Sequence, residues 1–515
     1  MSWKTQRDEI EQRRRAALEQ GGEDAVARQH GKGLLTIRER IDGLLDANSF
    51  REVGPIAGAG ERDEDGNLTE FQPANFVLGT GRIEGRHCVV GGEDFTQGGG
   101  SPNAAGLRKS VYTEELAVRY RVPLIRLHQG AGGSVAGSSG KGQSHAPVYE
   151  THRFKSIARA LKTVPVASAA LGAVAGMPAG RLVSSHFAVM TRNSQVLIGG
   201  PALVERALKR KLTKEELGGP EVHECSGVVD AVVDDEFAAF DAIRRFLSYL
   251  PANVNELPPV AETTDSPERR DEALNDVIPD NRKMTYDVRL ILHGVLDRGS
   301  VFEMTAGYGP SLITALARLN GVPVGVLAND CTRIAGAMDA NACRKLKRFV
   351  EFCEQFHLPV ISFVDEPGFM IGLQAEQDGT IRAGGEALTT VATTTVPWAS
   401  VVMRKSMGLA SALHYGDQAY VLAWPSAEFG ALPVEGGVAL AFKREIEAAE
   451  DPEAKRQELE EQFAARQSPF PRAETFAVHD LINPGETRMR LCGWLELSRP
   501  LLDEQCPSST PSDRQ

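Results

Sequence analysis

The stretch GRIEGRHCVVGGEDFTQGGGSPNAAGLRKSVYTEELAVRYRVPLI (81–125) reappears in plan as ARLNGVPVGVLANDCTRIAGAMDANACRKLKRFVEFCEQFHLPVI (317–361). A constant offset of 236 aligns Arg82 with Arg318, Gly85 with Gly321, Val90 with Val326, Asp94 with Asp330, Gly100 with Gly336, Arg108-Lys109 with Arg344-Lys345, Glu115 with Glu351 and Pro123 with Pro359. Upstream, Arg38, Gly43, Leu45, Asp46 and Ser49 match Arg289, Gly294, Leu296, Asp297 and Ser300 at an offset of 251, the difference being the acidic insert around Glu61–Glu70. Downstream, Val164–Ser168 matches Val396–Ser400, and Gly176 then falls on Gly408. A repeat of this length means that one fold is made twice, and two copies of a fold commonly build a site between them.

The chain has 515 residues, enough for two domains of about 250. With 42% hydrophobic residues and 51 glycines it reads as α/β with many tight turns. A formal net charge of −12 argues against a general nucleic-acid or acidic-lipid surface, so any anion site must be local. The seven cysteines form no CxxC pair, which leaves neither a zinc ribbon nor a thioredoxin-like motif, and no metal site is expected. The opening MSWKTQRDEIEQRRRAALEQ mixes acids with bases and has no apolar core, so a reducing, cytoplasmic setting is expected.

Short apolar runs at Phe76–Leu78, Cys88–Val90, Leu124–Leu127, Val164–Ala170 and Phe187–Met190 are bounded by Gly or Pro and read as buried strands. Residues 3–30 read as a charged leading helix, followed by helices at Thr36–Leu45 and Val111–Tyr120, and Phe442–Arg466 reads as one solvated or subunit-contact helix. Pro251–Leu274 has little periodicity and is the expected linker. The domains expected are 1–260 and 275–503, with a disordered Ser/Pro-rich tail at 504–515.

GxSxG, HExxH, GxxxxGK[ST] and a strand-following GxGxxG are all missing, so side-chain catalysis of the usual kinds is not advertised. What recurs instead is glycine just after an apolar strand, at Gly130-Ala131-Gly132-Gly133, Ala175-Gly176-Met177, Pro367-Gly368-Phe369 and Gly408-Leu409-Ala410. Such turns bare backbone N–H groups, which suit a developing oxyanion, though they are also plain structure. His128 stands at the end of one of these strands. Asp365 and Glu366 precede Gly368 and could supply a base, with turn capping the alternative.

The segments RQHGKGLLTIRERIDGLLDANSF (28–50), FVLGTGRIEGRHCVVGGEDFTQGGG (76–100), LIGGPALVERA with TKEELGG (197–219) and ISFVDEPGFMIG with TVPWASVVMRKSMG and AYVLAWPSAEFGALP together resemble the carboxyltransferase (β) subunit of biotin-dependent acyl-CoA carboxylases. The likeness is to the propionyl-CoA and methylcrotonyl-CoA branches, not to the zinc-ribbon acetyl-CoA type. It implies two tandem crotonase-like ββα-spiral domains, acyl-CoA on the first and biotin on the second. It further implies a site shared between one subunit and its dimer partner, a hexamer of three dimers, and CO2 passing from carboxybiotin to the acyl α-carbon through enolates held by N–H donors. Carried over by position, the donors are Ala131, Gly132, Gly133, Gly176 and Met177 for the thioester, and Gly368, Phe369, Gly408, Leu409 and Ala410 for biotin. Arg108, Lys109 and Lys209 become candidates for the CoA phosphates, and Ala412 for the acyl pocket. Departures from the family pattern fall at Ala131, Met177-Pro178 and Leu409, and Pro178 cannot donate. No Met-Lys-Met biotin-attachment segment occurs, so a partner with biotin carboxylase and a biotin carrier is implied. A decarboxylase or transcarboxylase subunit and a noncatalytic scaffold stay open as alternatives, as does the identity of the acyl group.

Overall fold

The computed structural model describes residues 3–131 and 152–506. It divides into two compact units, Met1–Val254 and Asn255–Gln515. The first holds strands β1 (Arg51–Glu52), β2 (Gly58–Arg62), β3 (Leu68–Pro73), β4 (Phe76–Ile83), β5 (Arg86–Glu93), β6 (Leu124–Gly130), β7 (Val166–Ala175), β8 (Phe187–Thr191), β9 (Gln195–Leu197) and β10 (Ala231–Val233). The second holds β11 (Phe302–Met304), β12 (Leu312–Leu319), β13 (Val322–Asn329), β14 (Val360–Glu366), β15 (Trp398–Met407), β16 (Tyr420–Ala423), β17 (Glu428–Gly430) and β18 (Asp480–Leu481). Sheet order is β1-β4-β5-β6-β7-β8-β10 with β9 on β7, and β11-β12-β13-β14-β15-β16-β18 with β17 on β15. Among the strands of the described residues only the β2–β3 hairpin has no counterpart, and it is the acidic insert.

The repeat holds at the level of single bonds. Each unit begins its sheet with an antiparallel hairpin closed by two residues of positive φ, Glu84-Gly85 (50°, 78°) and Asn320-Gly321 (50°, 79°). Those are type I′ turns, which match strand twist but demand left-handed backbone. A carboxylate accepts both turn amides in each unit: Asp46 from Glu84 and Gly85, and Asp297 from Asn320 and Gly321. Arg38 pairs with Glu52 as Arg289 does with Glu303. The crossover helices Ala104–Tyr120 and Ala340–Gln355 are capped alike, by Asn103 accepting from Gly106 and Asp339 from Ala342. The parallel strands β6–β7 and β14–β15 even slip register at matching places, between His128 and Gly130 and between Val364 and Glu366.

The core of the second unit is built of Val326, Ile361, Phe363, Ala399, Val401, Trp424 and their neighbours; Leu78, Val89, Leu116, Leu124 and Val166 form one of the core clusters of the first. Two helices are shorter than the sequence suggests. The leading segment breaks at Gly21-Gly22 into Lys4–Glu19 and Glu23–His30, where Gln20 (φ 55°) and Gly22 (φ 85°) leave helical backbone and Gly21 admits the Thr96 backbone, whose carbonyl oxygen would lie 2.3 Å from a Cβ. Phe442–Arg466 breaks into Lys443–Glu447 and Pro452–Arg466, the second capped by Asp451 ahead of a proline that suits the first turn. The segment read as a linker is bound into the second unit: Arg488 donates to the Asp265 and Ser266 carbonyls, and Ala261 N–H to Gly321 O. Helix Thr487–Gln505 takes in the start of the tail; residues 507–515 lie outside the described residues.

Candidate functional site

Strand β7 ends at Gly176, whose backbone (φ 66°, ψ −131°) is closed to most side chains and turns the chain straight into helix Met177–Val183. Strand β15 ends the same way at Gly408 (φ 61°, ψ −156°), opening the short 3-10 helix Leu409–His414. The first N–H groups of a helix have no acceptor within it. Met177 in the first unit, and Leu409 and Ala410 in the second, therefore stand as main-chain donors; Pro178 has no N–H to give.

In the first unit the two glycine turns meet. A Cβ on Gly130 would lie 3.1 Å from Gly100 O, 3.2 Å from Glu93 Cγ and 3.3 Å from Pro178 Cγ, so glycine at 130 lets the strand end and the helix start pack in contact. The Ala131 N–H is spent on Gly99 O at 3.0 Å and is not a free donor. Gly132 and Gly133 lie outside the described residues. Beneath the turn the Glu93 carboxylate faces His128 Nδ1 at 3.1 and 3.2 Å, with both side chains buried. Burial alone would raise Glu93, but the imidazole and Arg181 hold it below the ordinary carboxylate value. Two residues back from His128 along β6, Arg126 lies 3.3 Å from Glu114 of helix Ala104–Tyr120, and Glu114 lies 2.8 Å from Arg181. Burial, only partly offset by Glu114, brings Arg126 down to about 10. Arg126 and Arg181 escaped the sequence reading. The available signal was a charge inside LIRL, a run whose other members are core.

In the second unit Gly368 (φ 131°) follows β14, and its N–H donates to Glu366 Oε1 at 2.8 Å. Met338 N–H donates to Gly368 O and Met370 N–H to Met338 O, which leaves the Phe369 N–H between them without an acceptor among the described residues. The Phe369 ring is seated on Gly384, where a Cβ would come within 2.6 Å of it. The Gly408 N–H is committed to Gly430 O at 2.9 Å. Thus Gly368 and Gly408 shape their turns, while Phe369, Leu409 and Ala410 carry the available amides. A cleft of about 430 Å3 adjoins the Gly408 turn, lined by Ser411, Tyr415, Phe429, Gly430 and Arg472 among others. Burial pushes Tyr415 up to about 12, so it is a hydroxyl donor, and it shares a 2.8 Å bond with Ser406.

Asp365 is no free base. It takes Arg404 on both oxygens, the Tyr286 hydroxyl at 3.0 Å and the Lys405 N–H. Of the candidates for phosphate, Arg108 and Lys209 are exposed, but Lys109 is buried with its Nζ 3.8 Å from Glu52. Its repeat partner Lys345 is buried too and donates to Leu312 O at 2.7 Å. The pair are internal struts of the fold. Ala412 is exposed on the helix that Gly408 opens.

Compared with known proteins, residues 28–501 match the model of a carboxyl transferase domain. The chain is 36% identical over 498 residues to the propionyl-CoA carboxylase carboxyltransferase subunit of Haloferax mediterranei, covering 95% of each chain. It is 32% identical over 494 residues to the methylmalonyl-CoA decarboxylase subunit alpha of Veillonella parvula, covering 95% of this chain and 94% of that one. Among solved structures, transcarboxylase 12S with methylmalonyl-coenzyme A and methylmalonic acid bound superposes with a TM-score of 0.85 at 31% identity, over 96% of this chain and 95% of the other.

Proposed function

Since the chain belongs to the carboxyl transferase family and is an enzyme of carboxyl transfer on acyl-CoA, we propose that it is the carboxyltransferase subunit of a biotin-dependent carboxylase, taking the acyl thioester on its first unit and biotin on its second. One observation carries this reading: the same strand-glycine-helix turn, at Gly176 and at Gly408, is made twice with matching backbone angles and bares amide donors each time. Two enolate-like oxygens need two sets of donors. Fixed main-chain N–H groups at about 2.8 Å contribute roughly 3–4 kcal/mol each to such a barrier, because they need no reorganisation as charge develops.

The residues of the second unit fit a neutral ureido ring. Phe369, Leu409 and Ala410 offer uncharged donors, and the cleft beside Gly408 is bordered by Tyr415 and Phe429. Biotin, when bound, supplies a labile N-carboxyl bond and then a nitrogen base. In the first unit Met177 N–H would polarise the thioester oxygen, and buried Glu93–His128 lies under that turn. Arg108 and Lys209 remain the exposed bases suited to the CoA phosphates, and Ala412 leaves room for an acyl branch. A biotin carboxylase and carrier partner, hexameric assembly from dimers, propionyl-CoA or methylcrotonyl-CoA as substrate and a cytoplasmic setting belong to the same proposal.

The name of the Veillonella parvula relative favours a second direction, decarboxylation of a malonyl-type CoA. The test is purification from the source with streptavidin probing of any large partner, then incubation of the complex with ATP, labelled bicarbonate and a panel of acyl-CoAs. Label in one acyl-CoA establishes the carboxylase. Label only in the reverse exchange assigns the decarboxylase. Absence of a biotinylated partner together with no acyl-CoA binding in calorimetry overturns the reading in favour of a scaffold.

A further inference from the structure

The second unit contains a buried polar chain that the repeat does not require. Glu366, the last residue of β14, spends one oxygen on the Gly368 N–H at 2.8 Å. Its other oxygen accepts from Asn329 Nδ2 at 3.1 Å and faces His414 Nε2 at 3.2 Å. The other ring nitrogen of His414 meets Ser362 Oγ at 2.8 Å. The His414 carbonyl accepts from Trp398 Nε1 at 2.8 Å and Ser400 Oγ at 2.6 Å. Glu366, His414 and Ser362 are all 0% exposed. Ser, His and Glu in a row suggest a nucleophile, but complete burial excludes that use.

Placement explains it better. His414 closes the 3-10 helix that begins at Leu409, so the carboxylate grips the Gly368 turn with one oxygen and, through His414, the far end of the Leu409–Ala410 helix with the other. The two turns hang from neighbouring strands whose pairing slips between Val364 and Glu366. Ladder bonds alone fix spacing poorly at such an irregularity. At the matching positions of the first unit stand Gly130 for Glu366, Leu182 for His414, Arg126 for Ser362 and Glu93 for Asn329. The same fold is therefore completed without this chain, and burying a carboxylate is costly. That cost points to a role other than holding the sheet together.

We infer that Glu366 and His414 are positioning residues that lock the Phe369 donor, through the Gly368 turn, and the Leu409-Ala410 donors at one separation for the ring they share. This rests on the reading that the second unit receives biotin.

The test copies the first unit into the second, as Glu366→Gly, His414→Leu and the double variant, with His414→Gln as the conservative control. Free biotin is the probe, bound by calorimetry and used as acceptor for the carboxyl group of a panel of malonyl-type CoAs, with amide hydrogen exchange followed over 366–370 and 408–414. The expected result is biotin binding weakened ten-fold or more, kcat lowered 10- to 100-fold with acyl-CoA KM unchanged, faster exchange confined to those two segments, and partial recovery in His414→Gln. Wild-type binding and kcat in a folded double variant overturn the inference. Should either single variant fail to fold, unchanged biotin affinity in His414→Gln with unchanged exchange at 366–370 does so as well. A wild-type protein that neither binds biotin nor transfers to it removes the functional reading itself, and the inference falls with it.

Discussion

The two units spend buried charge in opposite ways. In the first, Glu114, Arg126 and Arg181 form a cluster between sheet and helices, and Arg126 Nε and Arg181 Nη2 have no hydrogen-bond partner among the described residues. In the second, the matching strand carries Ser362 in place of Arg126, and the buried carboxylates are matched in full, Asp365 by Arg404 and Tyr286, Glu366 by His414, Asn329 and Gly368. Residues that match across the repeat, such as Asp46 with Asp297 or Lys109 with Lys345, turn out to build the fold. Residues that differ, such as Gly130 against Glu366, are where the copies have specialised.

Removing one partner from the charged cluster should have the largest effect. Arg126→Met leaves Glu114 with Arg181 and the Ser156 hydroxyl in a dry site, and a loss of about 3–5 kcal/mol is expected by denaturant titration. A cost under about 1 kcal/mol would mean that the cluster is hydrated and that the contrast between units is smaller than drawn. Next comes a matched pair. Asp297→Ala strips two turn amides and also the buried Arg488 of its carboxylate, while Asp46→Ala strips two amides near the surface. Losses of about 3 and about 1 kcal/mol are expected; equal losses would show that the repeat is energetically as well as geometrically symmetric. A third effect, of opposite sign, concerns Lys109, which burial brings down to about 8 from an ordinary 10.5. Between those values the unfolded chain holds a proton that the folded chain has released, so this residue's contribution to stability rises with pH across that window and is flat below it. Lys109→Met should add on the order of 1–2 kcal/mol at pH 7, with the gain over wild type shrinking from pH 8 to 10.5, as read from denaturation midpoints.

Much of the fold was legible because the repeat could be counted. Glycine at 85 and 321, and aspartate at 46 and 297, sit where a I′ turn and its acceptor must be, and offsets of 236 and 251 between them also located the β2–β3 insert. Helix ends were less legible: where the charged helix breaks, Gly21 donates to Thr96 Oγ1 and packs against its backbone, a contact between residues far apart in the chain. The glycine turns were visible as a pattern, but not which of their amides are free. Gly368 and Gly408 spend theirs on Glu366 and Gly430, and Ala131 on Gly99, pairings that exist only once neighbouring strands are aligned. Glu366 and His414 lie 48 residues apart and meet because β14 and β15 are adjacent, so no local signal announces the pair.

The two I′ hairpins also bear on how the chain reaches this state. β4–β5 and β12–β13 are the strand pairs with the shortest sequence separation in their sheets, and hairpins of that kind close in roughly 1–10 μs. Each parallel pairing, by contrast, waits for a long crossover to be organised, at a larger loss of chain entropy. Folding is therefore expected to start at two places, with Asp46 and Asp297 clamping each nascent ribbon, and a ribosome that has released only the first 254 residues has already delivered one complete nucleus. Pulse-labelled exchange should show amides of 76–93 and 312–329 protected ahead of β7 and β15.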